Sequence, residues 1–379
     1  WTQACREGGW FPQWASPGYR ACMVGSHVDA VIADGVMRGV RNFDVETAYA
    51  GMRKHAFEPG DAAGSYGRIG IADYLEKGYV PADRHHESVA RSLDYAYDDF
   101  CIAQVAGALG KEEDRKLFLQ RARNYRNHYD PSIGFMRGRY ADGSWAAFAE
   151  FRWGDPFVEG GPWQSTWAVP HDPEGLIALM GGPEPFIAKL EQMLAQPPYF
   201  EVGHYGFEIH EMTEMACADF GQYAHSNQPV HHAFYLFTAA GRPDRTQYWV
   251  NRVLNELYTP DAFPGDEDNG EMSAWFLLSA LGIYPLCPGH PSWVLGAPLF
   301  DRARIRLSDG KELILEAERT QATQIYTEKL TVNGNIHESL WIDHTALTQG
   351  TTLRFTMTDT PSNLSSYPDE ALPFSLSQI

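Results

Sequence analysis

At Cys287-Pro288-Gly289 the spacing of apolar residues changes, and this change does most to limit what the chain can fold into. Before it, apolar side chains recur every three to four residues, the period of helices packed on one face. After it, they alternate or run over strand lengths between turn residues. A chain of 379 residues is longer than one compact domain usually needs, so the change reads as a domain boundary. We expect a mainly α region over residues 1–288 and an antiparallel β-sandwich over residues 289–379.

Within the first region, residues 88–109 (SVARSLDYAYDDFCIAQVAGAL) place Val89, Leu93, Ala96, Phe100, Ala103 and Ala106 on one helical stripe that Gly110 stops. Residues 111–129 read as a charged amphipathic helix ended by Asp130-Pro131, completing an αα-hairpin. Further helices are expected over 185–194, over 229–240 with Pro229 at the start, and up to Leu257. Another is expected over 272–281, apolar enough to be buried on every side. In the second region, strands are expected over 303–307, 312–317, 325–332 and 351–357. Asp309-Gly310 and Asn333-Gly334 are hairpin turns.

The formal net charge of −19 argues against nucleic acid as a partner, because phosphate binding needs clustered Lys and Arg. No apolar run is long enough to cross a bilayer, so no membrane partner is expected. No signal peptide is visible, and the chain opens at Trp1, as a processed chain or fragment does. The five cysteines form no CxxC pair and no zinc spacing, and are read as free thiols. One sequon stands at Asn363-Leu364-Ser365. Eleven Trp, 19 Tyr and 20 Phe supply core bulk and, at some positions, surfaces on which sugar rings stack.

Four loop motifs concentrate polar groups beside Gly, Pro and aromatic residues. GSHVD (25–29) sets His27 and Asp29 before a helix, where Ser26 or Asp29 can also serve as N-cap. FVEGGPWQSTW (157–167) places Glu159 between an apolar pair and a Gly-Gly turn. Desolvation there favours a protonated carboxyl, the form a general acid needs, while the plainer role is a loop Glu capping the next helix. GQYAHSNQPVHH (221–232) is rich in His and amide oxygens and lacks zinc spacing, so hard Ca²⁺ suits it better than zinc. FPGDEDNGEM (263–272) puts Asp266 and Asp268 one residue apart in an acidic loop. A cation or solvent must offset that charge. An acid candidate, a carboxylate pair and many aromatics together fit a glycosidase, while GxSxG, GxGxxG and P-loop motifs are absent from the sequence.

The runs EGGWFPQW (7–14), CMVGSHVDAVIADG (22–35), EGGPWQSTWAVPHD (159–172), GQYAHSNQPVHH (221–232) and PGDEDNGEMSAW (264–275) resemble the family 92 glycoside hydrolases. These are Ca²⁺-dependent, inverting exo-α-mannosidases with an (α/α)₆ barrel. The resemblance implies such a barrel here, incomplete in this chain, because the family's N-terminal β-sandwich is not seen. A second, N-terminal polypeptide would then complete it.

The resemblance also implies residue roles: Glu159 as general acid, and Asp266 and Asp268 as source of the base. Asn227, Gln228 and Asp268 would be Ca²⁺ ligands. His27, Asp29, Trp163, Gln164, His231 and His232 would line the sugar subsite. The implied substrate is terminal α-linked mannose of an oligosaccharide, mannan or glycoprotein N-glycan. The implied location is secreted, periplasmic or on the surface of a bacterium. One departure concerns the loop that commonly reads HGNEP, which is HSNQP at 225–229 here; Gln228 removes a charge beside the metal. Two other readings stay open: a carbohydrate-binding or scaffold fragment, and a metal-independent (α/α)₆ glycosidase of other specificity.

Overall fold

The structure is a computed structural model that describes residues 1–361 and 367–379; the Asn363 sequon lies outside the described residues. The chain divides into two compact units. One comprises residues 1–172, 197–213 and 287–290, the other residues 173–196, 214–286 and 291–379.

The first unit is helical. It contains α1 (Thr2–Gly8), the short pair β1 (Trp14–Ala15) and β2 (Tyr19–Arg20), α2 (Val28–Met37), α3 (Val45–His55) and α4 (Ile71–Lys77). Then come α5 (Ser88–Ala108), α6 (Glu112–Arg121), the pair β3 (Tyr129–Asp130) and β4 (Phe135–Met136), and α7 (Pro162–Ser165). The α5–α6 hairpin is present, but α6 stops at Arg121, well short of the expected Tyr129. Arg121 turns inward onto Asp99 and the Ala56 carbonyl, and the chain then tightens into a 3₁₀ turn over Asn124–His128.

Helix α5 is buried on most of its surface, yet it carries Asp98 and Asp99 into the interior. A buried carboxylate needs partners, because leaving it unpaired costs several kcal/mol or roughly that order. Asp99 has them: Arg68 at 2.6 Å, Arg121 at 2.8 and 3.1 Å, and the Tyr74 hydroxyl at 3.2 Å. Arg68 also lies over the Tyr95 ring, 5.1 Å from its centroid.

The second unit mixes helices and strands. It holds α8 (Pro173–Leu179) and α9 (Pro183–Ala195), and α10 (His210–Ala218) runs into it. Helices α11 (Tyr235–Ala239), α12 (Pro243–Glu256) and α13 (Glu271–Leu281) follow. Helix α9 opens two residues before its expected start, on Pro183, a favoured first helical position. The expected helix over 229–240 is instead a 3₁₀ turn at Gln228–Val230 followed by the short α11. Bonds from His231, Ala233, Tyr235 and Leu236 all reach back three residues, so the segment winds more tightly than an α-helix. Helix α13 is not buried on every side. Met272, Trp275, Ala280 and Leu281 face inward, while Leu277 is 53% exposed.

The strands are β5 (Ile283–Tyr284), β6 (Ser292–Leu295), β7 (Arg302–Arg306), β8 (Glu312–Glu318), β9 (Tyr326–Val332), β10 (Asn335–His337), β11 (Trp341–Asp343) and β12 (Thr352–Thr358). They form a five-stranded sheet in the order β10-β9-β12-β8-β7 and a three-stranded sheet in the order β11-β6-β5. Both expected hairpins form, β7–β8 around Asp309-Gly310 and β9–β10 around Asn333-Gly334. Asn333 and Gly334 both take positive φ, 51° and 84°, as a tight hairpin turn requires. Every strand pair in these sheets is antiparallel except β12–β8, which runs parallel. The core beneath is apolar, with Leu281, Leu315, Ile342, Leu353 and Phe355 at its centre.

Candidate active site

In the first unit, His27 is the N-cap residue of α2, and neither Ser26 nor Asp29 caps that helix with its side chain. The His27 Nδ1 lies 3.3 Å from Asp98 Oδ1 and its Nε2 lies 3.7 Å from Asp94 Oδ2, while 52% of its side chain is open to solvent. Burial works against the imidazolium, but the carboxylates of Asp94, Asp98 and Asp29 outweigh it and raise its pKa to about 9. His27 is therefore a cation at neutral pH; its Nδ1–H is directed at Asp98, and its Nε2–H, beyond bonding distance of Asp94, can donate to a hydroxyl oxygen. Burial pushes Asp94 up to about 6, and the negative charge of Asp98 adds to that rise.

Asp29 is fully enclosed, at 0% exposure. Its carboxylate oxygens stand 3.6 Å from His55 Nδ1 and 3.6 Å from Arg68 Nη2. Those gaps are longer than direct hydrogen bonds. Asp29 acts on His27 through its charge and presents no surface to a ligand.

Glu159 sits on a loop of the same unit that Gly154 closes by donating its N–H to the Gly160 carbonyl at 2.8 Å. Its φ is 42°, a left-handed conformation rare for a residue with a side chain. Its backbone N–H donates to the Tyr205 hydroxyl at 2.8 Å. Burial pushes that hydroxyl to about 12, and the Glu159 carboxylate beside it adds to the rise. After the loop, the Gly161 N–H donates to Gln164 Oε1 at 2.8 Å, so Gln164 closes the start of α7. Trp163 packs edge-on against Phe135 with ring centroids 4.8 Å apart. Both Trp163 and Gln164 are buried.

In the second unit the third and fourth sequence motifs come together. Gly265 packs so closely on the 225–228 loop that a Cβ there would stand 2.2 Å from the Ser226 carbonyl oxygen. Gln228 Nε2 donates to the Asp266 carbonyl at 3.4 Å, and Asn227 Oδ1 accepts from Gln228 N at 3.2 Å. His231 Nε2 donates to the His225 carbonyl at 2.9 Å, since a carbonyl oxygen can only accept. Its Nδ1 then faces Glu271 Oε1, also at 2.9 Å. His225 is buried beneath, between the hydroxyls of Tyr223 at 2.8 Å and Tyr258 at 2.9 Å. Burial, and then His231, depress its pKa well below the ordinary imidazole value, so it stays neutral. His231 is buried and His232 half-buried, whereas Asp266 and Asp268 are exposed.

Partial desolvation raises the Asp268 pKa, and repulsion from Asp266, Glu271 and Glu267 raises it further. A hard divalent cation offsets such crowding, and the oxygen-rich donors around it are of the right chemistry. Among the described residues, no cluster of three or more His, Cys, Asp or Glu side chains could hold a metal ion. A cation here would therefore draw on amide and carbonyl oxygens as well as Asp268.

Sequence reasoning missed Asp94 and Asp98, which set the charge of His27, and Tyr205, which holds Glu159. The spacing of Asp94 and Asp98, four apart on α5, was a usable signal: it puts two carboxylates on one face of a largely apolar helix. Tyr205 carries no comparable mark. The free-thiol expectation fits the structure, in which all five cysteines are unpaired, three buried and two exposed. Among the described residues no helix is long and apolar enough to cross a membrane.

Comparison with known proteins bears on what this arrangement is for. Residues 1–359 match the family model described as the glycosyl hydrolase family 92 catalytic domain. The chain is similar to a solved inverting mannosidase of that family from Bacteroides thetaiotaomicron, with 41% identity and a TM-score of 0.90 over 99% of this chain and 51% of that one. It is also similar to a family α-mannosidase from the same organism, solved with mannoimidazole, with 34% identity and a TM-score of 0.83 over 93% of this chain and 46% of that one. An uncharacterized secreted glycosidase of Arthroderma benhamiae is 26% identical over an alignment of 374 positions that covers 88% of this chain and 45% of that protein. The chain spans about half the length of these relatives.

Proposed function

Because the chain belongs to glycosyl hydrolase family 92, we propose that it hydrolyses terminal α-linked mannosides with inversion at the anomeric carbon. The supporting observation is its likeness, over 99% of its length, to a solved inverting mannosidase. The substrate class proposed is the mannose-terminated glycan of glycoproteins or mannans. Export from the cytoplasm is proposed by analogy with the secreted glycosidase relative.

Inversion needs one displacement with an acid and a base. In this reading Glu159 gives its proton to the glycosidic oxygen as the C1–O bond breaks. A water molecule attacks C1, and Asp266 or Asp268 takes the water's proton. His27, held cationic by Asp94 and Asp98, donates to a sugar hydroxyl. Asp29 acts on His27 through its charge, while Trp163 and Gln164 shape the wall beside Glu159. His231 and His232 do the same for the loop carrying Asn227.

Asn227, Gln228 and Asp268 are the proposed holders of Ca²⁺, consistent with the crowded carboxylates around Asp268. When bound, the ion supplies positive charge toward vicinal sugar hydroxyls. Residues 1–288 hold every one of these groups, and 289–379 are proposed as a supporting β domain.

The test is turnover of an α-mannoside by the full chain before and after chelation. Activity lost to chelator and restored by Ca²⁺ supports the reading. Activity indifferent to chelator removes the metal from it, and absence of turnover leaves the binding-fragment reading in its place. With an unactivated leaving group, Glu159→Gln is expected to lower kcat by about 10²–10⁴-fold, the range for general acid catalysis.

A further inference from the structure

We propose that the turn Gly203-His204-Tyr205 is a clamp that sets the position of Glu159, with His204 and Tyr205 as positioning residues for its proton transfer. The proposal rests on the reading of Glu159 as general acid.

Two consecutive side chains of this turn accept backbone N–H groups from both ends of a single loop stretch. Asp155 N donates to His204 Nδ1 at 2.8 Å, and Glu159 N donates to the Tyr205 hydroxyl at 2.8 Å. Backbone bonds lace the same segments together just upstream, from Trp153 N to the Glu201 carbonyl at 3.0 Å and from Glu201 N to the Phe151 carbonyl at 2.8 Å. The rings of His204 and Tyr205 lie 4.4 Å apart at a 33° tilt, so they support one another as a pair.

Glycine makes this approach possible on both sides. A Cβ on Gly154 would stand 2.2 Å from His204 Nδ1, and one on Gly203 would stand 2.0 Å from the Trp153 carbonyl oxygen. Gly203 also has a φ of 65°, which a side chain would strain.

What the clamp holds is itself strained. A left-handed Glu persists only where its surroundings enforce the conformation, and Tyr205 bonds the amide of that residue. With the peptide fixed, the direction in which the Glu159 Cα–Cβ bond leaves the backbone is fixed too. A proton donor shifted by an ångström loses much of its effect. Neither His204 nor Tyr205 need touch substrate for this. An amide N–H donating to Nδ1 needs a lone pair there, so an asparagine oxygen can replace that nitrogen, whereas leucine cannot.

The experiment uses the full chain with Tyr205→Phe, His204→Leu, His204→Asn and, as reference, Glu159→Ala. Each is assayed on 2,4-dinitrophenyl α-mannoside, which leaves without protonation, and on an α-linked mannobiose, which needs it. Tyr205→Phe and His204→Leu are expected to lower kcat on mannobiose by about 10- to 100-fold with little change in KM, and on the dinitrophenyl substrate by less than about threefold. His204→Asn is expected to stay near the unmodified protein. Partial misfolding lowers both rates together, so the ratio of the two is the readout. Equal losses on both substrates, or none on either, overturn the clamp. If Glu159→Ala itself fails to discriminate between the substrates, the acid assignment falls and the clamp falls with it. Discrimination by Glu159→Ala but not by Tyr205→Phe or His204→Leu rejects the clamp alone.

Discussion

His27 carries its charge between Asp94 and Asp98 while half its ring faces solvent. Its pKa, raised to about 9, lies above the ordinary imidazole value of 6.5. The folded state therefore binds this proton more tightly than the unfolded chain. The stability it contributes is fully present below pH 6.5 and is lost as pH rises through about 9. Asp94, pushed up to about 6, acts with the same sign at lower pH. Denaturant unfolding at pH 7 and at pH 9.5 should show a weaker protein at the higher pH, and His27→Gln should flatten that difference. An unchanged pH slope in the variant would show that the charge of His27 is not what the carboxylates hold. At this scale the sequence showed which residues are chemically unusual, His27 and Glu159 among them. Their environment was not legible, because it comes from residues far along the chain: Asp94 and Asp98 for His27, Tyr205 for Glu159.

Helix α5 shows what an element contributes beyond its residues. Its apolar stripe was plain in the sequence, and its observed span, Ser88–Ala108, ends one residue before the expected Leu109. What the stripe concealed is that the same helix delivers Asp98 and Asp99 to the interior and Asp94 to its margin. Asp99 accepts hydrogen bonds from two buried guanidinium groups, Arg68 and Arg121. Removing one partner of a buried ionic cluster leaves the others desolvated and uncompensated. Asp99→Ala should therefore cost about 3–5 kcal/mol in urea unfolding. A loss below about 1 kcal/mol would mean that solvent reaches the arginines. Elements defined by a steady period, such as α5 and the strands of the C-terminal sheet, were readable. Those where backbone and side-chain bonds compete were not. The segment after Gln228 tightened into 3₁₀ geometry, and α13 exposed Leu277 although its composition reads as buried.

At the scale of the whole molecule, the strands of the C-terminal sheets lie beyond the period change near residue 288, except β5 just before it. The parallel β12–β8 pair was invisible to a reading built on hairpins, because strands distant in sequence leave no turn signature. The acidic loop at Asp266 and the amide-rich loop at Asn227 were read separately, and the structure stitches them together through Gly265 and Gln228. The central claim is a single displacement on an α-mannoside, and the stereochemistry of the first-formed sugar reports on it directly. Proton NMR of the reaction in its first minutes, before mutarotation, should show β-mannose appearing ahead of the α-anomer. α-Mannose appearing first would mean a retaining, two-step route and would contradict the roles given to Glu159, Asp266 and Asp268.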